Sequence, residues 1–329
     1  MKHFITCFTF LATLVSFGQD PEFTQFYANP IYLNPALAGT NYCPRVNMNY
    51  RDQWANISGA YVTNTVSFDR YVPALHGGIA FMATNDMAGK NTINWSTLSA
   101  IYSHHTRITR TVSILVGGQA TWNQNFLDWK KLTFGDQIDP YRGFIFQSND
   151  LPINTMKNSS WSTRGFFDVS AGVVVYSERF YGGFAVKHLN EPNRSFTLRN
   201  SKLPRRFTGH IGATIPLGEK SKYENNTFIS PNIIYSYQDH FQQLNFGTYI
   251  KHGAFTTGAW FRVGDGFVAD AFILTVGIDA KSYRIGYSYD ITISELTNAS
   301  GGAHEISLGL TFGCKAKDEH FRTMVCPAF

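Results

Sequence analysis

Charged residues are scarce in this chain, and long hydrophobic runs are missing. Lys, Arg, Asp and Glu make up 16% of the 329 residues, against roughly 25% in soluble domains. Beyond the N-terminal leader, no run reaches the about 18 consecutive apolar residues expected of a membrane-spanning helix. The first absence is atypical of a soluble domain, and the second excludes an ordinary helical membrane protein.

A strong charge of one sign is missing too. The formal net charge is +5, which is small and scattered and gives no basis for nucleic-acid binding. The sequence contains no phosphate-binding loop, no His-Glu-x-x-His and no Gly-x-Ser-x-Gly. We therefore predict that the chain is not an enzyme and binds no cofactor or metal.

The first residues have the pattern of a secretory signal peptide. Lys2 precedes a mostly apolar run from Phe4 to Phe17, and the small residue Gly18 ends it. We predict cleavage after Gly18, with 1–18 as a Sec signal peptide. Removal of Lys2 lowers the formal charge from +5 to +4.

Period-two alternation dominates the rest of the chain and predicts an all-β fold. Near the end, Ile306, Leu308 and Leu310 alternate with Glu305 and Ser307. Aromatic residues make up 16% of the chain and glycines number 28, a composition that suits tilted strands facing lipid. The predicted strands are 45–53, 60–71, 76–86, 91–106, 110–123, 164–177, 179–190, 205–217, 226–237, 241–252, 254–264, 268–280, 282–292 and 303–313.

Fourteen such strands predict a closed transmembrane antiparallel β-barrel over 45–313, because an open sheet edge is not viable in lipid. The predicted turns alternate in length. One end has mostly short turns, whereas the other has the long connections 124–163, 191–204 and 293–302. Short periplasmic turns and longer outer loops are typical of bacterial outer-membrane barrels. A secreted β-sandwich is the alternative fold, and it gives no reason for this asymmetry.

Two segments flank the predicted barrel. Residues 19–44 contain two Asn-Pro steps, which disfavour helix and remove backbone donors. We predict an extended, turn-rich periplasmic lid or plug here, which either seals the mouth or docks a partner. Residues 314–329 are predicted to form a C-terminal periplasmic tail.

The mature chain has three cysteines, Cys43, Cys314 and Cys326. An oxidising compartment allows one disulfide and leaves one thiol. In a closed barrel with an even number of strands, Cys43 and Cys314 flank the seam on the same rim. A Cys43–Cys314 bond would staple the seam, whereas Cys43–Cys326 would fix the tail. Three free thiols are the remaining alternative.

Other polar residues have plain structural interpretations. His104 and His105 are neighbours on a strand, so their rings point to opposite faces. Asp136 and Asp139 are loop acids without a companion base. Four tryptophans are expected in an aromatic girdle: Trp122, Trp129, Trp161 and Trp260. A basic run flanks an outer loop and could meet lipopolysaccharide phosphates, an acidic partner or only solvent: Arg194, Arg199, Lys202, Arg205 and Arg206.

Several stretches of the chain resemble one known family. The opening Gln19 to Pro30, followed by Leu33 to Gly39 with its Asn-Pro-Ala-x-x-Gly run, resembles the start of mature PorP/SprF proteins of the type IX secretion and gliding machinery. Three inner stretches are similar in the same order, 132–137, 188–193 and 202–207. The C-terminal Cys-Pro-Ala-Phe also fits the family, so the resemblance covers essentially the whole mature chain.

The resemblance implies an outer-membrane barrel that binds, helps export or anchors a partner surface protein, or that links to periplasmic ring components. The partner would be an adhesin of the class with a type B C-terminal sorting domain. The alternatives are a general or selective porin and a lipid-acting barrel enzyme. Candidate partner-binding residues are Phe23, Phe26, Tyr27, Asn29, Pro30, Asn34, Pro35, Asp136, Asn190, Pro192, Arg205 and Arg206.

Overall fold

The computed structural model describes residues 20–41, 43–57, 59–132, 135–139, 141–145, 161–196, 201–217, 227–280, 282–294 and 301–313. The predicted signal peptide 1–18 and tail 314–329 lie outside these residues. Before the first strand come two short helical turns, α1 (Pro30–Leu33) and a 3-10 turn, Pro35–Leu37. No helix in the described ranges is long and apolar enough to cross a membrane.

Strands make up most of the remaining chain, because apolar and polar residues alternate along it with period two. Their bounds are β1 (Arg45–Gln53), β2 (Tyr61–Val72), β3 (Gly77–Ala88), β4 (Ile93–Arg107), β5 (Ser113–Asp128), β6 (Ile138–Asp139), β7 (Gly143–Phe144), β8 (Trp161–Tyr176), β9 (Phe180–Lys187), β10 (Arg206–Ala213), β11 (Ile215–Leu217), β12 (Thr227–Gln238), β13 (Phe241–His252), β14 (Phe255–Val263), β15 (Ala269–Asp279), β16 (Tyr283–Thr292) and β17 (Ala303–Thr311).

The long strands form one closed antiparallel sheet. Each pairs with its neighbour in sequence, β1 also pairs with β17, and β10 pairs with β12 as well as β9. The pair β6–β7 is a separate hairpin in the loop between β5 and β8, and β11 continues β10. In the described ranges the wall therefore has fourteen strands, and the predicted closed antiparallel β-barrel is confirmed.

The predicted strand bounds agree with the structure to within a few residues at most ends. One difference is the predicted strand 205–217, which is divided into β10 and β11. The division falls at Thr214, which lies between the two strands and whose N–H donates to the Arg179 carbonyl at 2.7 Å.

The two faces of the wall differ as the alternation predicts. Large apolar side chains such as Val116, Leu98 and Ile306 are 52–62% exposed and face outward, where lipid covers them. Polar side chains face inward, for example Asn47, Ser103 and Thr275. The inward face also carries aromatic and aliphatic residues. The alternation of polar and apolar residues alone predicts a polar interior and does not predict these.

The tryptophans divide between the faces. Trp122 is 52% exposed on the outer wall, as expected of a girdle residue. For Trp260 the girdle prediction is wrong, because this residue has inward parity on β14 and is 1% exposed inside the lumen. Trp129 is partly exposed, and the Trp161 side chain lies outside the described residues.

The seam between β1 and β17 also positions a cysteine. Cys43 is buried and disulfide-bonded. The Phe312 N–H donates to the Pro44 carbonyl at 3.0 Å, which holds the end of β17 beside this cysteine. Cys314 and Cys326 lie outside the described residues, so the pairing stays a prediction.

We expect non-reduced peptide mapping to recover Cys43 linked to Cys314, because a disulfide requires α-carbons about 4.4–6.8 Å apart and the backbone of 312 lies beside that of 44. Reduction before digestion is the control. A Cys43–Cys326 peptide would show that the bond fixes the tail instead.

Candidate functional site

The N-terminal segment, residues 20–41, lies inside the barrel. It begins beside His188 and Arg206, at the end of the barrel with the long loops, and reaches Gly78 and Asp69 at the other end. It then turns at Gly39 (φ 71°) and enters β1. The segment thus spans the lumen along its axis, and its turns include the two short helical ones, Pro30–Leu33 and Pro35–Leu37.

A group of charged side chains holds the start of the segment, and we call Asp20, Glu22, Asp168, His188 and Arg206 the latch. The His188 ring lies between two carboxylates, with Nε2 at 2.8 Å from Asp20 and Nδ1 at 3.0 Å from Asp168. Arg206 forms ion pairs with Glu22 and, at 3.9 Å, with Asp20. The latch joins the segment to β8, to β10 and to the loop after β9.

The protonation of the latch follows from its geometry. Burial alone lowers the pKa of His188, but the charge of Asp20 and the hydrogen bonds with Asp168 and Asp20 raise it to about 9. Burial alone raises the pKa of Asp20, yet His188 and Arg206 hold it well below its ordinary value. At neutral pH the protonated imidazole therefore donates to both carboxylates.

A second polar contact lies on the opposite wall, at Glu305 of β17. Its carboxylate accepts from the Thr24 N–H at 2.6 Å and from the Thr24 hydroxyl at 2.9 Å. The Gln25 side chain donates to the Glu305 carbonyl at 2.9 Å. Arg51 lies 3.5 Å from this carboxylate and 2.9 Å from Asp290, and Arg262 also lies 2.9 Å from Asp290, so two arginines face the two buried acids.

The middle of the segment packs against an apolar part of the inner wall. Tyr27 and Leu33 contact wall residues that are themselves almost fully buried, and Phe26 packs on Trp260 with ring centroids 5.0 Å apart. The wall members of this cluster are Leu115, Val174, Tyr176, Tyr181, Ile234, Tyr249, Trp260 and Ile273. Burial of each large apolar side chain contributes about 1.5–3 kcal/mol, so an empty lumen would expose a costly surface.

Wall glycines permit the closest contacts with the segment. A Cβ on Gly117 would lie 2.5 Å from the Ala36 nitrogen, and one on Gly172 would lie 2.1 Å from Asn34 Oδ1. At the other end, a Cβ on Gly78 would lie 2.1 Å from the Ala38 carbonyl oxygen. These glycines of β5, β8 and β3 form a groove that fits residues 34–39 at backbone distance.

Asn34 fixes the register of the segment in this groove. Its Oδ1 accepts from the Ala36 N–H at 2.9 Å, which caps the 3-10 turn, and its Nδ2 donates to the Val173 carbonyl at 3.2 Å. Ser103 and His105 of β4 donate to the carbonyls of Ala36 and Ala38. The Asn-Pro step is therefore a docking element for the barrel's own wall.

The predicted partner-binding residues fall into two groups. The N-terminal ones contact the wall, so an external partner reaches them only if the segment leaves the lumen. Those buried in this way are Phe23, Tyr27, Asn29, Pro30, Asn34 and Pro35, with Phe26 partly buried. Arg206 is a buried residue of the wall itself, on β10, and pairs with Glu22 of the segment.

The remaining candidates lie in the outer loops. Asn190 and Arg205 are exposed, whereas Pro192 is buried. Asp136 lies in a short 3-10 turn, Gly135–Gln137, and its side chain is outside the described residues. Asp139 caps a turn by accepting from the N–H groups of residues 141 and 142.

Comparison with known proteins decides the family. A family model described as type IX secretion system membrane protein PorP/SprF matches residues 15–310. The chain belongs to the PorP/SprF family. It is therefore an outer-membrane barrel of the type IX secretion system, as its resemblance implied.

The solved structures with a similar shape are distant from this chain in sequence. The toluene transporter TodX of P. putida is 9% identical, with a TM-score of 0.46, covering 86% of this chain and 93% of that one. Omp33 of Acinetobacter baumannii is 10% identical, with a TM-score of 0.45, covering 83% and 100%. These values are too low to transfer a substrate or a role. No curated protein matches the chain significantly.

The sequence did not single out Glu305, Asp168 or the wall glycines as parts of the site. A signal was present, because Glu305 and Asp168 are acids at inward positions of strands whose outward neighbours are apolar. The paired glycines 77–78 and 117–118 were visible too. Their role depends on which residues the segment brings next to them, and strand alternation does not predict that.

We expect Gly117→Val to loosen the N-terminal segment, because the new side chain would overlap Ala36 and overpacking costs about 1–3 kcal/mol. Limited proteolysis of detergent-purified protein should cut within 20–41 faster than in the wild type. Gly118→Val is the matched control, since no atom lies within 4 Å of its Cβ position. Equal cleavage in both variants would contradict the close fit.

We expect His188 to titrate near pH 9 in the folded barrel. Its folded pKa is raised above the ordinary value of 6.5, so the latch is fully stabilised below about pH 6.5 and weakens as pH rises through 9. Histidine NMR of labelled protein, assigned with His188→Gln, measures this titration. A midpoint near 6.5 would show that the two carboxylates do not hold the ring.

Proposed function

We propose that this barrel works through its surfaces, by binding a partner cell-surface protein and helping to export or anchor it. The observation that carries the proposal is the filled lumen: residues 20–41 contact the wall from the latch to Gly78. A barrel closed by its own chain offers its outer loops, its periplasmic rim and its lipid-facing wall for contacts. The proposed partner is an adhesin with a type B C-terminal sorting domain, and periplasmic ring components are a further candidate.

The non-enzymatic part of this proposal is supported by the chemistry of the buried polar groups. His188 is held protonated between two carboxylates, and Glu305 accepts bonds from Thr24 and Gln25. These groups hold the segment in place.

The porin alternative would require an open path beside the segment or its departure. Small cavities do flank it, one of them lined by Asp86, Trp95 and Gln119. The apolar cluster around Tyr27 and Trp260 blocks the centre of the lumen. We therefore rank a diffusion porin second.

Affinity purification of the tagged protein from outer membranes, followed by mass spectrometry, tests the proposal. We expect a large surface protein or periplasmic ring components to copurify. A tagged barrel of another family from the same membrane is the control. Recovery of a solitary barrel, with no partner above that control, would contradict the proposal.

We expect the wild-type barrel to show no steady large conductance in planar bilayers, because the segment fills the lumen. Deletion of residues 20–38 should open a pore in barrels that remain folded, which the heat-induced mobility shift in gels reports. Steady wild-type conductance equal to that of the deletion would instead support the porin function.

A further inference from the structure

Among the described residues, the outer part of β8 is paired with a strand on one side only. β8 has 16 residues, whereas the next strand, β9, has 8. Their pairing covers only Ala171–Tyr176 of β8. Toward the outer end, residues 161–167 pair with β5 on one side, and no described strand pairs with them on the other. We call residues 161–167 the β8 edge.

The ladder between β8 and the loop after β9 ends at Asn190. The Leu189 N–H donates to the Val169 carbonyl at 2.9 Å. The Asn190 side chain then takes the place of a further strand residue, donating to the Phe167 carbonyl at 2.8 Å and accepting from the Val169 N–H at 3.2 Å. Because backbone groups alternate sides along a strand, those of Thr163 and Gly165 face the same way, and the described residues supply no partner for them.

The β8 edge lies above the lipid. A membrane-spanning strand needs about 9–11 residues. Tyr176 is the periplasmic end of β8, and a span of this length counted from it ends near Phe167. The outward side chains at that level, Phe167 and Trp122, are 51% and 52% exposed, as expected of aromatic residues at the interface. The backbone groups of Thr163 and Gly165 therefore lie beyond the membrane, on the outer side of the cell.

The β8 edge and the described part of the loop after β9 carry more basic than acidic residues. Arg164 lies exposed on the edge itself. The adjoining loop adds Lys202 and Arg205, both exposed, and Arg194, which lies over the Trp95 ring at 5.8 Å. In the described part of this loop the acid is Glu191, which pairs with Arg205 at 3.5 Å in a solvent-exposed contact.

We propose that the β8 edge binds an acidic, extended segment of the partner surface protein as an added β-strand. Exposed edges are usually protected, because they template pairing with other chains. Strand addition gives affinity through main-chain hydrogen bonds, and the flanking side chains select the charge of the incoming segment. The inference rests on the proposed function, because the occupant is the partner proposed there.

Two variants and a control test the β8 edge. Thr163→Pro removes an N–H on the unpaired side and leaves the bonds to β5, and edge strands tolerate proline. Arg164→Glu reverses the charge. Arg110→Glu makes the same charge change on an exposed periplasmic turn and is the matched control. The heat-induced mobility shift checks that each barrel is folded.

The measurement is the amount of partner copurified, combined with photo-crosslinking from a benzophenone residue at 163 or at 110. We expect recovery to fall about tenfold for Thr163→Pro and Arg164→Glu, which corresponds to about 1.4 kcal/mol, and to be unchanged for Arg110→Glu. Crosslinks from 163 should map to an acidic segment of the partner.

The outcomes separate the two proposals. A partner that copurifies with all variants equally, or that crosslinks from 110 and not from 163, overturns strand addition and leaves the proposed function standing. Failure of the folded wild-type protein to recover any partner overturns the proposed function and this inference with it.

Discussion

The contact between residues 20–41 and the inner wall is the interaction on which the rest of this structure depends. The wall around Tyr181, Tyr249 and Trp260 is apolar, and water in an open lumen would meet it at a high free-energy cost. The segment removes that cost. It also supplies partners for Glu305 and His188, groups that would otherwise be buried with fewer compensating bonds. The barrel and its N-terminal segment therefore form one folding unit.

The same contact limits what the protein can do. A lumen filled by its own chain leaves only the surfaces of the barrel accessible to another molecule. The outer end of the barrel is the most distinctive of these surfaces, because two structural features meet there. The loop after β9 carries His188, which holds the segment, and Asn190, which ends the ladder of β8 two residues later. His188 itself adopts a left-handed backbone conformation (φ 58°), as residues at functional turns often do.

Most of the fold could be predicted from the sequence, because lipid imposes simple rules. Every backbone group must be paired, and one face of each strand must be apolar, so alternation located the strands and required their closure. Trp260 is the exception. Its residue type predicts a place in the aromatic girdle, whereas its position along β14 has inward parity and places it in the lumen. The charged latch could not be predicted from the sequence for another reason. Asp20 and His188 are 168 residues apart, and no local pattern brings them together.

Hydrogen–deuterium exchange of residues 27–38, measured on the protein in outer-membrane vesicles, tests most directly whether the barrel is closed by its own segment. The account predicts exchange as slow as that of the central strands, because the segment is buried and hydrogen-bonded to the wall. Exchange as fast as that of an exposed loop would show that the lumen is open in the membrane, and would contradict the account.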